Sequence, residues 1–370
     1  MSAIHMSRCW NLFKRTLPQR PSYRNYVNEA IFDIERCPLH KLECGPPSST
    51  LLTRTDALNY YKVMLGMREI GYEAQSLYDG RHIRGLLHLC EGMEAVRVGV
   101  EAAITPQDIL VGTHRIHGWA YARGISAEKI LGEFLGRSSG CCKGKGGAMH
   151  MYSENVYGGN GLIGASVPLG TGVGFAMKYN EKPNVSLSVF GEGAANQGQH
   201  FEAFNMAKLW NLPCIYLCEN SFYSVSTTPE MVAACTEYYT RGDYLPGLQV
   251  DGMDFLAVRE ALRFARDHAL NSGPILIEAI SYRYSGHSVG NKAISDIAKE
   301  DLDVIRQRND SIETFKKKIL AKNLTDIDEL KSIEDAVREE VRAVTEKVKM
   351  DQELPVLSIY EDVYQNVQVI

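Results

Sequence analysis

The feature that most limits the fold is an alternation of strand-like and helix-like segments in the second half of the chain. Two short apolar runs have the pattern of strands buried on both faces, "NVSLSVF" and "PCIYLCEN", and they flank a segment with helical spacing, "GQHFEAFNMAKLWN". The order recurs further along, with the predicted helix "DFLAVREALRFARDHAL" and the predicted strand "PILIEAISYRY". Such repetition predicts an α/β fold with a doubly wound, mainly parallel sheet and helices on both faces.

A glycine-rich segment, "GEGAANQG" (Gly191 to Gly198), joins the first of these strands to its helix. In doubly wound sheets ligands bind beyond the carboxyl ends of the strands, and backbone amides at a helix N-terminus favour a phosphate. Alone, however, the segment is as typical of an ordinary glycine turn as of a phosphate site.

A second segment, "ENSFYS", follows the next predicted strand and strengthens the phosphate interpretation. Glu192 is the only carboxylate of the first segment, and the second segment adds a hydroxyl and backbone carbonyls. A hard divalent cation that neutralises a diphosphate prefers such oxygen ligands. Together the two segments predict a site for a metal ion and a diphosphate.

Composition gives broad limits on function. The 370 residues are 45% hydrophobic and 23% charged, which is enough to bury a sizeable core. The formal net charge of -5 gives no reason to expect nucleic acid as a partner. No apolar run approaches the roughly 20 residues that a membrane helix needs, so no membrane span is predicted.

The nine cysteines match no metal-ligand spacing. Cys214 and Cys218 lie in an apolar strand and are predicted to be core residues, while the adjacent Cys141 and Cys142 form no metal signature. An odd number of scattered cysteines suits a reducing compartment such as the mitochondrial matrix.

The N-terminal segment is basic before its first acid, Glu29, and Trp10, Phe13 and Leu17 give it an apolar side. It is similar to a mitochondrial presequence, and a basic disordered tail is the alternative interpretation. We therefore expect residues 1–27 to be a transit peptide and residues 28–370 to form a single domain with a helical C-terminal region.

Other segments are less specific. A largely helical pattern runs from Thr55 to about Ala103, and the glycine-rich stretch from Ser138 is predicted to be loop that carries function. Within that stretch "KGKGG" is also compatible with a cationic loop that binds nothing. Thr325 and Asp328 resemble a capping box, and the end of the chain suits either a subunit contact or a packed tail. Two C-terminal helices are predicted from apolar positions at Ile305, Ile312, Phe315 and Ile319, and at Val337, Val341, Val344 and Val348.

Taken together, "GEGAANQG" and "ENSFYS" resemble the thiamine diphosphate motif, which is a GDG turn followed, one strand later, by two asparagines. The segments "IRGLLHLCEGMEA", "GCCKGKGGAMHMYSENVYGGNGLIGASVPLG" and "YRYSGHS" are similar to the alpha-subunit family of mitochondrial pyruvate dehydrogenases. The resemblance runs from about Asn28 almost to the C-terminus and implies a thiamine diphosphate-binding fold. Branched-chain 2-oxo acid enzymes are disfavoured by the "GCCKGKGGAMHM" segment, and a Rossmann site by "GTGVG" following a loop.

The resemblance implies thiamine diphosphate and Mg²⁺ as cofactors and a beta subunit as partner, in an assembly of two alpha and two beta chains. Such an enzyme decarboxylates pyruvate and passes the acetyl unit to the lipoyl-bearing acetyltransferase component, which yields acetyl-CoA overall. A kinase and a phosphatase regulate the family. The alternative interpretation is a catalytically weak or inactive paralogue that acts as a structural or regulatory partner of the beta subunit.

Family roles transfer to positions that match the motifs. His88 and His287 correspond to the active-site histidines, although each alone would be interpreted as an ordinary hydrogen-bonded residue. The implied metal ligands are Glu192, Ser221 and the backbone carbonyl of Tyr223. The implied cofactor-binding residues are His114, Arg115, Gly161, Ile163, Glu192, Gly193, Ala194, Ser221, Tyr223, Arg283 and His287.

Several positions depart from the family. Glu192 replaces an aspartate, Ser221 the second asparagine and His114 a tyrosine. Since Glu is longer and Ser shorter, we hypothesise that the metal ion shifts toward Ser221. Three hydroxyls match the regulated positions of the family, in changed surroundings: after His287 the chain reads "SVGNKAISDIAKED". Three further substitutions change polarity near the substrate. The hydroxyls are Ser288, Ser295 and Thr228, and the substitutions are Leu86, Met93 and Ser285.

Overall fold

The computed structural model describes residues 26–225, 227–290 and 309–363. Within them, an eight-stranded sheet is accompanied by a separate antiparallel pair formed by the first and third strands. The strands β1 to β10 are Glu29–Asp33, Leu39–His40, Ser49–Thr53, Ile109–Val111, Tyr152–Ser153, Val156–Tyr157, Ser186–Gly191, Cys214–Asn220, Gly247–Asp251 and Ile275–Ile280. The helices α1 to α10 are Arg54–Asp79, Glu94–Glu101, Ile116–Ala122, Ala127–Phe134, Ser166–Tyr179, Gly198–Leu209, Pro229–Val232, Phe255–Ser272, Ser311–Ala321 and Ile327–Lys349.

The strand order of the large sheet is β2-β9-β10-β8-β7-β4-β6-β5. The six inner strands pair in parallel, and only the edge strands β2 and β5 pair antiparallel. The predicted fold class, a mainly parallel α/β sheet, is therefore confirmed. Since parallel strands end at one edge, the loops after β4, β7, β8 and β10 converge there.

Side chains of the central strands point alternately into two apolar cores, as the period of two in a strand requires. Leu187, Val189 and Ile215 belong to the core that α1, α2 and α8 complete. Phe190 and Tyr216 belong to the core formed with α5 and α6. Cys214 and Cys218 are fully buried in this second core, which confirms their predicted place.

The predicted helical region from Thr55 to Ala103 is interrupted, so that prediction is only partly right. Helix α1 ends at Asp79, and a loop crosses to α2, which begins at Glu94. Gly92 in this loop has φ +92°, and a Cβ there would lie 2.3 Å from the Tyr282 carbonyl oxygen. Glycine thus allows the chain to turn against the strand-end loop that follows β10, which carries His88 to the sheet edge.

The predicted capping residue of the last helix, α10, is wrong by one position. Asp326 is the N-cap, and its carboxylate accepts the amide of Glu329 at 2.9 Å. Thr325 instead donates its hydroxyl to the Glu329 carboxylate at 2.5 Å. The apolar faces of the two C-terminal helices are buried as predicted at Ile312, Phe315, Ile319, Val337, Val341 and Val348, with Val344 partly buried and Ile305 outside the described residues.

The ends of the chain are described only in part. Residues 1–25 of the predicted transit peptide lie outside the described residues. Its last two residues pack on the body: Tyr26 donates to Asp326, and the Val27 amide donates to the Asn323 carbonyl at 3.1 Å. In the described ranges, none of the helices has the length and hydropathy to cross a membrane.

Candidate active site

A cleft opens at the sheet edge where β4, β7, β8 and β10 end. The structure brings nine of the predicted site residues into its wall; His88, Gly161 and Tyr223 lie outside the lining. His88 contacts two of the lining residues, and Tyr223 faces the cleft through its carbonyl. The lining includes His114, Arg115, Ile163, Glu192, Gly193, Ala194, Ser221, Arg283 and His287. It also includes Gly164, which begins the stretch "GASVPLG" that resembles the family's cofactor-cupping backbone, and Asn160 and Glu219, which were not predicted.

Glu192 and Ser221 face each other across the ends of adjacent parallel strands. Gly191 of β7 is in register with Glu219 of β8, so the residues that follow each strand meet. The Ser221 hydroxyl lies 3.3 and 3.4 Å from the two Glu192 carboxylate oxygens, and the Ser221 amide lies 3.4 Å from one of them. Charge-assisted hydrogen bonds are shorter, about 2.5–2.9 Å, so this buried carboxylate is loosely held and can still bind a cation.

Arg283 lies between the predicted metal ligands. Its Nη2 donates to the Tyr223 carbonyl and lies 4.0 Å from the Glu192 carboxylate. Burial lowers the pKa of Arg283, while the carboxylates of Glu192 and Glu219 raise it. Its Nε is buried without a hydrogen-bond partner among the described residues. Two of the three predicted ligands, Tyr223 and Glu192, thus lie next to a guanidinium, as expected of oxygen atoms that attract positive charge.

Asn220 explains why Ser221, and not its neighbour, faces Glu192. The side-chain NH₂ group of Asn220 donates to the Glu278 carboxylate at 2.7 Å, and its side-chain oxygen Oδ1 accepts the backbone amide of Phe222 at 3.0 Å. Phe222 has φ +59°, so this side chain holds a tight turn directly after β8. The Asn220 side chain is therefore engaged in holding the loop, and Ser221 is the residue that lines the cleft.

The segment from Asn160 to Gly164 is tied to helix α6. The Ile163 carbonyl accepts the side-chain amide of Gln199 at 3.0 Å, and the Gly164 carbonyl lies 3.2 Å from Nε2 of the buried His200. Gly164 has φ +82°, which favours glycine. The predicted cofactor cup is thus fixed through its backbone. Gly161 has open space around the position of a Cβ and does not line the cleft.

Three histidines form a cluster beside the cleft. The ring centroids of His88 and His114 are 4.5 Å apart. The ring centroid of His287 lies 5.4 Å from that of His88 and 5.5 Å from that of His114. Burial, followed by the charge of Arg115, lowers the pKa of His88 to about 4, of His114 to about 2 and of His287 to about 3. The cluster is therefore neutral near pH 7, so each ring has one nitrogen that can accept a proton.

Arg115 lines the cleft and also connects two loops through hydrogen bonds. Its Nη1 donates to the Leu89 carbonyl at 2.5 Å and its Nη2 to the His287 carbonyl at 2.6 Å. It therefore joins the loop between α1 and α2 to the loop after β10, and these two loops carry His88 and His287. The predicted diphosphate contact thus also sets the spacing of the histidines.

A buried ion pair beneath the cleft was missed at the sequence level. Arg97 Nη1 lies 2.9 Å from the Glu219 carboxylate, and the pair is 0% and 5% exposed. The guanidinium carbon lies 5.1 Å from the centroid of the Trp119 ring. Burial raises the pKa of Glu219, against the opposing effect of Arg97. The sequence does carry a signal for this ion pair: Arg97 lies in the otherwise apolar run "AVRVGV", and a charge buried there requires a partner.

The positions at which the chain departs from the family, and the hydroxyls that match its regulated positions, lie partly in the cleft and partly outside it. Met93 lines the cleft, Ser285 donates to Glu91, and Leu86 is 59% exposed. Thr228 is the N-cap of the short helix α7, and Ser288 is partly buried beside His287. Ser295 lies outside the described residues.

Comparison with known proteins adds to this geometry. The family model for "Dehydrogenase E1 component" matches residues 62–356. The pyruvate dehydrogenase E1 component subunit alpha, somatic form, mitochondrial, of Homo sapiens is 48% identical over 342 residues, covering 92% of this chain and 88% of that protein. The testis-specific form of Rattus norvegicus is 45% identical over 353 residues, covering 94% of this chain and 90% of that protein. With a parallel α/β sheet and a match over most of its length, the chain belongs to the dehydrogenase E1 component family, which has a thiamine diphosphate-binding fold.

Proposed function

We propose that this chain is the catalytic alpha subunit of a pyruvate dehydrogenase decarboxylating component. With a beta subunit, it would decarboxylate pyruvate on thiamine diphosphate and transfer the acetyl unit to the lipoyl group of the acetyltransferase component. The observation that carries the proposal is the loosely held Glu192 carboxylate opposite Ser221, at the carboxyl edge of a parallel sheet. That is where a cation and a diphosphate would bind in such a fold.

In this proposal the oxygens of Glu192 and Ser221 would hold Mg²⁺. The Tyr223 carbonyl would become available once Arg283 turns from it toward the diphosphate. Arg115 and Arg283 would supply positive charge to phosphate oxygens, and the backbone of Ile163, Gly193 and Ala194 would cup the cofactor, with Gly161 in the same loop as Ile163. Once bound, thiamine diphosphate supplies the carbanion chemistry that decarboxylation needs.

The histidines have a separate role in the proposal. His88 and His287 are neutral and lie next to buried arginines, so each has a ring nitrogen that can take a proton while Arg115 fixes the loops that carry them. His114 extends this group, with its ring 4.5 Å from that of His88. His88 is buried and the other two are partly buried, which limits the water that would compete for those protons.

A beta subunit is supported by an exposed apolar surface on α5 and α6. Phe175 stacks on Tyr179 and packs against Trp210, yet the three side chains are 47%, 79% and 45% exposed. Leu169 of α5 and Leu209 of α6 are also exposed, at 53% and 72%. Exposed clusters of large apolar side chains are typical of a subunit interface. We propose two alpha and two beta chains.

The metal site provides the test of this function. We expect the chain, co-expressed with a beta subunit, to decarboxylate pyruvate within about tenfold of the rate of the double variant Glu192→Asp with Ser221→Asn. The reason is that the longer Glu and the shorter Ser compensate for each other. Each alpha chain expressed without beta is the blank. If only the double variant turns over, the paralogue interpretation replaces the proposal.

We propose the mitochondrial matrix as the location, with residues 1–27 as the transit peptide and residues 28–370 as one domain. The basic, apolar N-terminus supports the cleavage, and the names of the relatives support the organelle. N-terminal sequencing of the chain purified from mitochondria decides between cleavage and a retained tail.

We also propose phosphorylation control at Ser288, with Thr228 and Ser295 as further candidates. Ser288 is next to His287 and partly buried, so a phosphate there would place negative charge beside the histidine cluster. We expect kinase treatment of the alpha–beta complex to lower activity at least about tenfold, in step with Ser288 phosphopeptide. Ser288→Ala is the control, and inhibition that persists in it would contradict the assignment.

A further inference from the structure

Two adjacent thiols lie in the loop between α4 and β5, outside the cleft. The Sγ atoms of Cys141 and Cys142 are 4.0 Å apart, and both residues are partly exposed. The Cys142 sulfur also accepts the backbone amide of Tyr152 at 3.2 Å. The two sulfurs therefore lie side by side where a solute can reach them.

A single buried carboxylate holds this loop in place. One oxygen of Glu133 accepts the amides of Cys142 and Gly144 at 2.7 and 3.0 Å, and the other accepts those of Gly146 and Gly147 at 2.6 and 3.2 Å. Glu133 is 0% exposed. A carboxylate has about four acceptor positions, so these amides occupy them all. The backbone that carries the thiols is thus fixed independently of the thiols.

The C-terminal segment holds the loop from its other side. Lys143 lies 2.9 Å and Lys145 2.8 Å from the Asp362 carboxylate, and Arg137 lies 3.3 Å from Glu353. Each exposed pair contributes little energy alone. Together they show that "KGKGG" is an anchored loop whose lysines face the C-terminal segment.

The sulfur separation suits chelation better than a disulfide. Two thiolates on one tetrahedral cation, with metal–sulfur bonds of about 2.3 Å, lie about 3.8 Å apart. A disulfide needs about 2.05 Å between sulfurs and Cα atoms at least about 4.4 Å apart, whereas adjacent residues hold theirs at about 3.8 Å. The observed 4.0 Å therefore matches a shared cation with almost no movement.

The thiols also differ in acidity. The Cys141 thiol donates to Cys142, which lowers the pKa of Cys142 to about 7 and raises that of Cys141. Cys142 is therefore the more acidic of the two thiols, and the thiolate is the form that binds metals. A cation that binds both sulfurs releases the Cys141 proton to solvent.

We propose that Cys141 and Cys142 form a binding site for a thiophilic divalent cation of the Zn²⁺ class. The two thiolates would bind the ion, water would complete its coordination, and Glu133 would contribute negative charge behind the loop, since the ligand atoms of all three residues lie within 4.8 Å of one another. The site is independent of the proposed decarboxylation, because none of its residues lines the cleft.

Cadmium is the spectroscopic probe for this site. The reduced alpha–beta complex, saturated with Mg²⁺ and thiamine diphosphate, is titrated with Cd²⁺ while the thiolate-to-cadmium absorption in the ultraviolet is followed. We expect one equivalent to produce the band and Zn²⁺ to displace it. The histidine cluster has no sulfur, so cadmium bound there does not contribute to this band.

Matched variants assign the signal. Cys142→Ala and Cys141→Ala are each expected to weaken cadmium binding at least about tenfold. The control variant carries Cys9→Ala, Cys44→Ala and Cys235→Ala, which removes the two exposed cysteines and the one outside the described residues, and it should keep the full band. A band that is absent from the wild type at micromolar Cd²⁺, or unchanged in Cys142→Ala, would overturn the proposal.

If the cysteine variants do not assemble with beta, an alkylation footprint of the wild-type complex tests the site instead. The complex is alkylated with iodoacetamide with and without Cd²⁺, and the modified peptides are located by mass spectrometry. We expect cadmium to protect the peptide that contains both thiols and to leave Cys44 and Cys235 unprotected. Equal alkylation of that peptide in both samples would refute the site.

Discussion

Glu192→Gln is expected to weaken binding of Mg²⁺ with thiamine diphosphate to the alpha–beta complex by roughly 100-fold or more. The amide keeps the size of the side chain but removes the negative charge that a hard cation requires. Loss of an outer-shell partner already costs about 10–100-fold in metal affinity, so a direct ligand should cost at least the upper end. Isothermal titration of the complex with Mg²⁺ and cofactor measures the change.

The control for this variant is Glu202→Gln. Glu202 is exposed on α6, close in sequence to the same glycine-rich segment, and the same change of charge there should leave affinity within about twofold. Circular dichroism of both variants checks that the fold is retained. Unchanged affinity in Glu192→Gln would show that this carboxylate does not hold the cation.

Arg97→Met is expected to destabilise the protein by about 3–5 kcal/mol. The substitution removes the partner of Glu219 and leaves a carboxylate that is 5% exposed without its opposite charge. Methionine replaces much of the lost volume, so the effect reports charge more than packing. The midpoint of urea unfolding, followed at one fixed concentration of the complex, measures the change.

A double variant separates charge from shape. Arg97→Met with Glu219→Gln removes both charges of the pair and should recover a large part of the loss, because neither partner is left charged without the other. Lys347→Ala breaks the exposed pair with Glu128 and should cost at most about 1 kcal/mol. A single variant as stable as the wild type, or a double variant no better than the single, would contradict the interpretation.

The predicted elements succeeded where one physical rule dominated. Buried strands of a parallel sheet are short apolar runs, and β7, β8 and β10 were therefore placed to within two residues at their N-terminal ends. The meeting of Glu192 and Ser221 also followed, because it needs only that two parallel strands end at one edge. The short strands β4, β6 and β9 were missed, since two to five residues carry too little periodicity.

Interactions distant in sequence could not be predicted. Nothing local to Arg283 indicates that it turns to the Tyr223 carbonyl, which lies 60 residues earlier. Cys141 and Cys142 were dismissed because adjacent cysteines match no ligand spacing, yet the amides held by Glu133 fix their geometry. Such contacts are set by tertiary packing, and a periodicity argument does not include it.

The register of β7 and β8 has a mechanical consequence. Glu192 and Ser221 each follow a strand end, and the two strands lie side by side, paired through their ladder of hydrogen bonds. A ligand that spans both residues therefore acts as a crossbar that opposes sliding of one strand past the other. By mass action its binding free energy is added to the stability of the sheet. The cofactor would then stabilise the same edge of the sheet that carries the proposed active site.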